Sequence, residues 1–301
     1  MSDQELRIYL DGVTNTRRWD SFVHRPSDII IATPAKCGTT WTQTIVASLI
    51  WPSGSPPEPV MILSPWVDGR IEPVEIMAER VEQQTHRRFL KTHTPADGVP
   101  WWDTASYIVV LRDGRDAFMS LVNHMARMRP EAQAMIDAQA LAEGGEPLQW
   151  TSDVHKDFAY WIASQESVPS FLSSWWPRRR QKNVLFVHYN DLKTDLGGEM
   201  RRIADFLRID VAPSLWDGAV ERCTFASMQA RGDEIGPFEM LFEGGAKSFL
   251  FKGTNGRWRD VLTESELASY QAHVKQSLSP AAAEWIEKGS LALEKRPNEM
   301  D

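Results

Sequence analysis

The run Asp28-Ile-Ile-Ile-Ala-Thr-Pro-Ala-Lys-Cys-Gly-Thr-Thr-Trp41 constrains the fold more than any other stretch of the chain. Ile29–Ile31 is a β-branched run of the kind that forms a strand buried on both faces. A turn bearing Pro34 and Gly38 follows. Behind it, apolar residues recur at helical spacing: Trp41, Ile45, Val46, Leu49 and Ile50. Thr39 and Thr40 are placed to cap that helix with their hydroxyls. Such a strand–turn–helix leaves backbone N–H groups unpaired at the positive end of a helix dipole, and Lys36 adds a full charge beside them. The stretch is an anion cradle suited to a phosphate or a similar group. It departs from the nucleoside-triphosphate loop G-x-x-x-x-G-K-[ST], because Lys36 precedes Gly38 and a tryptophan follows the two hydroxyls.

The rest of the chain is consistent with one large α/β domain of 301 residues, 42% of them hydrophobic. A net charge of −8 argues against a nucleic-acid binder working by bulk charge. Two cysteines, Cys37 and Cys223, form neither a disulfide framework nor a metal-binding spacing. The opening Met-Ser-Asp-Gln-Glu-Leu-Arg lacks the apolar stretch of a signal peptide, and no run reaches membrane-spanning length. A soluble cytoplasmic protein is the expectation.

Further buried strands are expected at Arg88–His93, Tyr107–Leu111 and Val184–Tyr189. Helices are expected at Pro73–Gln84, Gly114–Arg129, Val154–Trp176, Gly198–Leu207, Ser214–Glu221, Glu264–Lys275 and Ala281–Lys288. The basic run Arg178-Arg179-Arg180 reads as a solvated helix end favoured by the dipole. Residues 130–150 read as a helical insertion with a flexible neck. Strands that are continuous apolar runs, alternating with helices, imply a mostly parallel sheet covered on both faces, with ligands at the carboxyl ends of its strands.

Those ends carry cations and proton carriers. The first strand runs into Lys36, the second into Lys91-Thr92-His93, the third into Arg112 and the fourth into Tyr189. Isolated histidines are ordinarily structural or on the surface, and His24, His86, His124, His155, His188 and His273 are read so. Arg112 alone could merely pair with Asp116. The third strand end is where a metal-dependent nucleotide enzyme places a magnesium-holding aspartate. Here Arg112 stands in that place, with Asp113 beside it. An arginine can fork onto a phosphate, and the Ser120 hydroxyl can add a bond from the following helix. The chain thus offers two anion sites, one at Lys36 and one at Arg112 and Ser120, with no metal required.

These segments together resemble the cytosolic-type, PAPS-dependent sulfotransferases, where PAPS is 3′-phosphoadenosine 5′-phosphosulfate. Thr33–Trp41 resembles their 5′-phosphosulfate loop, and Val110–Ser120 resembles their 3′-phosphate motif. Lys91-Thr92-His93 matches their catalytic Lys-Thr-His, and Tyr189-Asn-Asp-Leu is similar to their Tyr-Glu-Asp-Met. Cys223–Met228 is similar to their adenine segment, and Phe251-Lys-Gly-Thr-Asn-Gly-Arg-Trp258 to their carboxyl-terminal phosphate segment. The order of the matches is that of the family, over nearly the whole chain. The resemblance implies a P-loop-like nucleotide-binding fold and transfer of a sulfo group from PAPS to a hydroxyl, leaving the desulfonated nucleotide PAP.

By the same resemblance, Lys36, Cys37, Gly38, Thr39 and Thr40 would hold the 5′-phosphosulfate, and Arg112 and Ser120 the 3′-phosphate. Trp41 and Phe225 would sandwich the adenine, within a segment that includes Met228. Thr224 and Tyr189 would bond the nucleotide, and Phe251, Lys252 and Gly253 would close over the 3′-phosphate. His93 would be the general base, Lys36 the stabiliser of the leaving phosphate, and Lys91 its assistant. Phe251 stands where the family has arginine, Cys223 where it has threonine, and Arg257 where an acidic residue is usual, so Arg115 or Arg257 would have to compensate. Of the family's dimer motif, Arg259 and Thr263 fit while Glu264 and Ala268 do not, and no such dimer is expected.

Cys37 lies near a helix start, a setting that lowers a thiol pKa. It is expected to be protected from alkylation by bound nucleotide. Segments 130–150 and 231–252 read as lids that order on binding. Trp66, Trp101, Trp102, Phe118, Met125, Met128, Trp150 and Phe158 are candidates for an apolar acceptor pocket. Ser64–Asp68 with His86–Gly98 resembles a bacterial branch that includes glycolipid sulfotransferases. The branch implies a glycolipid or large alcohol as first acceptor and a small phenol as second. Two other classes remain open: a P-loop kinase or nucleotidase, which would need magnesium and ATP, and a non-catalytic PAP binder, which could dispense with His93 and Lys91.

Overall fold

The computed structural model describes residues 6–301, and the opening residues of the signal-peptide reading lie largely outside it. Four parallel strands, β1 (Ile29–Ala32), β2 (Phe89–Thr92), β3 (Ser106–Leu111) and β4 (Val184–His188), form a sheet in the order β2-β1-β3-β4. Helices flank it, making a single α/β domain.

Alternate side chains of a strand point to opposite faces, so a strand buried on both sides needs apolar residues throughout. In β1, Ile29 and Ile31 enter one core with Val46, Leu49 and Ile203. Ile30 and Ala32 enter the other with Phe171, Leu172 and Trp175. β3 divides in the same way, with Ile108 and Val110 on the first side and Tyr107, Val109 and Leu111 on the second. Burying each isoleucine in full contributes about 1.5–3 kcal/mol. At the foot of β1, Arg88 forks onto buried Asp28 through Nε at 2.9 Å and Nη2 at 2.7 Å, tying β2 to β1 below the site.

The register places the ends of β1 and β2 level, Ala32 opposite Thr92, with Val109 beside Ala32, and β3 and β4 run two residues further to end level at Leu111 and His188. The chain leaves β1 for β2 on one side and returns to β3 on the other. That reversal opens a crevice between the ends of β1 and β3, the place where open α/β sheets bind ligands.

Several local expectations are corrected. Val154–Trp176 is two helices, Val154–Ala163 and Val168–Trp175. Buried Ser167 caps the second, its hydroxyl oxygen accepting from Ser170 N, and Pro169 fills the first turn, where it has no bond to lose. Of Arg178–Arg180 only Arg180 is exposed, and all three side chains have partners. Arg178 lies 4.5 Å over the Trp101 ring, while Arg179 and Arg180 each donate at 2.9 Å to the Met300 carbonyl and secure the C-terminal segment. Residues 130–150 open with a regular helix, Pro130–Ala142, and Glu143 behind it pairs with buried Arg18. Among the described residues, no helix is long and apolar enough to cross a membrane.

Candidate active site

The turn after β1 is held by its own backbone. Gly38 is the residue before the helix Thr39–Ile50 and takes a left-handed conformation, φ 106°, that disfavours any side chain. A Cβ there would lie 3.2 Å from the Tyr189 ring. Lys36 is also left-handed, φ 66°, a strain that a non-glycine residue keeps only when its surroundings impose it. The first helical bond runs from Thr42 N to Gly38 O. The N–H groups of Gly38, Thr39, Thr40 and Trp41 precede it and have no carbonyl partner among the described residues. Thr39 and Thr40 do not cap the helix as expected. Thr39 Oγ1 instead meets Thr33 Oγ1 at 2.5 Å, and the Thr40 carbonyl accepts from Thr44 Oγ1.

Cys37 is fully buried in the core, and its N–H goes to Pro34 O. Burial pushes its thiol up to about 12, the reverse of the expected lowering, because the cost of a buried thiolate exceeds the help from Arg112.

One cavity of about 1140 Å³ runs past the strand ends, and Lys36, Lys91, His93, Arg112, Ser120 and Tyr189 all line it. His93 Nδ1 lies 2.7 Å from the Thr33 carbonyl, which can only accept, so the ring proton sits on Nδ1 and Nε2 keeps its lone pair. Burial, and then repulsion from Lys91 and Lys36, push the imidazole down to about 3 and keep it neutral. Trp66 meets the His93 ring edge-on at 4.6 Å, and the Lys91 ammonium lies 4.7 Å over the same tryptophan. Burial pushes Lys91 down to about 8, against the pull of Asp68. Asp68 is a functional residue that no single motif marked. Fully buried, its Oδ2 accepts from Thr92 Oγ1 at 2.5 Å and Thr94 Oγ1 at 2.7 Å, bracing the chain on both sides of His93. A signal existed in the Ser64–Asp68 stretch, where an aspartate follows an apolar residue.

Arg112 does not pair with Asp116, whose Oδ1 instead accepts from Gly256 N at 2.6 Å. Arg112 Nη2 donates to Thr254 O at 3.0 Å and Asn255 Oδ1 at 2.6 Å, and the guanidinium lies 4.2 Å over the Tyr189 ring. Its Nε is buried without a partner among the described residues, an orphaned donor of the kind an anion satisfies. Arg115 is committed to Asp113 at 2.6 Å and Glu287 at 2.8 Å and does not line this cavity, so it cannot compensate for Phe251. Arg257 does line it, 5.6 Å from the Phe251 ring, with Lys252 5.1 Å from the same ring. Positive charge therefore flanks Phe251 although its side chain has none.

Farther along the cavity, Trp41 is pinned by a 2.8 Å bond from Nε1 to Cys223 O and stands edge-on to Tyr189 at 5.3 Å. Phe225 reaches the cavity and packs on Gly253, with Met228 buried behind. Thr224 does not line the cavity. Its hydroxyl donates to Glu221 O and accepts from Ser227 N as the cap of the helix Phe225–Ala230.

At the other end, Trp66, Met125, Met128 and Trp150 line the cavity as expected of an acceptor pocket. Trp101, Trp102, Phe118 and Phe158 do not. Phe118 and Phe158 are fully buried against each other at 4.8 Å, Trp101 stacks on Tyr107, and Trp102 packs on Phe22. His124, read as structural, lines the cavity with its Nδ1 3.2 Å from Lys36 Nζ. The available signal was its spacing, one helical turn beyond Ser120 on the same face.

The switch point of the parallel sheet faces a cavity lined by Lys36 and Arg112, and the chain belongs to the sulfotransferase domain family, matched over residues 26–281. It is 30% identical to a glycolipid sulfotransferase of Mycobacterium bovis, over 94% of both chains. Its fold is shared with retinol dehydratase, solved with androsterone and inactive cofactor PAP, at TM-score 0.66 and 21% identity over 93% of this chain and 88% of that one. A mouse sulfotransferase complexed with PAP aligns at TM-score 0.68 and 18% identity over 89% and 91%. The chain is a sulfotransferase.

Proposed function

We propose that the enzyme moves the sulfo group of PAPS to a hydroxyl of a hydrophobic acceptor, first a glycolipid or large alcohol and second a small phenol. The observation that carries the reading is the single cavity in which Lys36, after β1, stands between His93, after β2, and Arg112, after β3, beside an aromatic wall. The residues fit the nucleotide: unpaired N–H groups at the loop and an orphaned Arg112 Nε are donors awaiting an anion.

When bound, PAPS supplies the activated sulfo group and departs as PAP. Lys36 and the loop N–H groups hold the 5′ end, and Arg112 with Ser120 holds the 3′-phosphate. Trp41, Tyr189, Phe225 and Met228 bound the adenine end, while Lys252 and Gly253 close over the 3′-phosphate. The Nε2 lone pair of His93 takes the acceptor's hydroxyl proton, and the neutrality of the ring leaves that lone pair free to do so. Lys36, helped by Lys91, places positive charge where negative charge grows on the departing group. Segments 130–150 and 231–252, both represented on the cavity wall, act as lids.

Two features support a glycolipid acceptor. Met125, Met128, Trp66 and Trp150 provide apolar area for a greasy chain. The cavity wall also includes the acidic side chains of Asp11, Asp157 and Glu166, and Asp157 Oδ2 is buried without a partner among the described residues. Hydroxyls of a sugar are donors of the kind such an acceptor atom takes. The resemblance to mycobacterial glycolipid sulfotransferases points the same way.

The test is incubation with PAPS in EDTA against a panel of glycolipids, sterols and phenols, read by mass spectrometry. A lipid product heavier by one sulfo group is expected. Product formed only with ATP and magnesium would replace the reading by a kinase, and nucleotide binding without any product by a binder.

A further inference from the structure

The Lys36 side chain ends on His124. Nζ lies 3.2 Å from His124 Nδ1 and 4.2 Å from the Phe249 ring centroid. Phe242 and Phe249 flank the imidazole, with ring centroids 4.8 Å and 5.8 Å away. An ammonium has only donors, so Nδ1 accepts and the His124 proton sits on Nε2. His93 is held the opposite way, its proton on Nδ1 toward the Thr33 carbonyl. Two neutral imidazoles on one cavity wall are thus fixed in different tautomers by different partners.

We propose that His124 is a positioning residue for Lys36, holding the ammonium by its Nδ1 lone pair so that the charge stands ready before the phosphosulfate arrives. The inference rests on reading the cavity as the phosphosulfate site.

The need for an anchor comes from the surroundings. The charged groups acting on Lys36 are Lys91 on β2 and Arg112 after β3, both repulsive, and with burial as the larger cause they push the ammonium down to about 7. His124 stays neutral because burial, then Lys36, Lys91 and His93, hold its imidazole well below the usual range. A neutral acceptor stabilises the charged form of Lys36 more than the neutral amine, because a charge-assisted hydrogen bond is the stronger one. Removing it lowers the lysine further, and one pKa unit is a tenfold change in the ratio of charged to neutral lysine.

The test is calorimetric titration of the whole protein with PAP from pH 5.5 to 9, in the wild type, His124→Phe and His124→Asn. Phenylalanine keeps an aromatic ring against Phe242 and Phe249 but offers no acceptor. Asparagine offers an amide oxygen close to where Nδ1 stood. The ionisation of PAP itself is common to all three proteins and cancels in the comparison. In the wild type, Kd should rise above about pH 7 as Lys36 loses its proton. In His124→Phe that rise should begin about one pH unit lower, with Kd at pH 8 roughly tenfold weaker and Kd at pH 5.5 unchanged. His124→Asn should restore most of the wild-type profile. Coincident profiles for the wild type and His124→Phe overturn the proposal, as does a uniform weakening that asparagine fails to rescue. A wild type that does not bind PAP at any pH overturns the nucleotide reading itself, and the role of His124 with it.

Discussion

Arg112→Ala should abolish the enzyme's preference for a 3′-phosphorylated nucleotide. Arg112 is 4% exposed, and its Nη2 is already taken by Thr254 O and Asn255 Oδ1, leaving Nε and Nη1 as the donors for a ligand. A hydrogen bond to a charged group contributes ~1.5–3 kcal/mol, so losing two costs ~3–6 kcal/mol, or about 10²–10⁴-fold in Kd. The cost should fall on PAP and not on adenosine 5′-phosphosulfate, which lacks the 3′-phosphate. Arg112→Lys keeps the charge without the fork and should recover only part of the loss. Calorimetry with both nucleotides on all three proteins reads the ratio directly. If Arg112→Ala weakens both ligands equally, the assignment of Arg112 to the 3′-phosphate is wrong, and its effect comes from freeing the Thr254–Asn255 turn.

His93→Ala should lower turnover by about 10²–10⁴-fold while leaving PAP affinity within a few-fold, and unchanged steady-state turnover would remove His93 from the role of base. Lys36→Met should cost at least ~3–4 kcal/mol of barrier, seen as a matching fall in single-turnover rate at saturating donor. Cys37, fully buried with its thiol raised to about 12, should resist iodoacetamide at pH 8 whether or not PAP is bound, and alkylation at the rate of a free thiol would contradict the observed packing.

The strands were legible because burial on both faces demands apolar residues throughout, and Ile29–Ile31 and Tyr107–Leu111 can be little else. The convergence of Lys36 and Arg112 on one cavity was legible for a related reason: in a parallel sheet, sequence position at a strand's end is also spatial position. What depended on packing was not legible. The break at Ser164–Ser167 carried a signal in Ser167 and Pro169, but the apolar spacing of a continuous helix ran across it. Cys37 illustrates competition between effects, since a helix start lowers a thiol and complete burial raises it, and only the fold decides which is larger. Aromatic residues divide by what covers them. Trp66 and Trp150 reach the cavity, while Phe118 and Phe158 close the core behind it. His124 was hidden because its partner, Lys36, lies 88 residues away in the chain.

The central claim is that one crevice grips a nucleotide at both ends of its ribose. A crystal structure of the protein with PAP tests it most directly. The 5′-phosphate should lie on the Gly38–Trp41 N–H groups beside Lys36, and the 3′-phosphate within hydrogen-bond distance of Arg112 and Ser120. Density for PAP in any other cavity, or with its 3′-phosphate turned away from Arg112, would contradict the account.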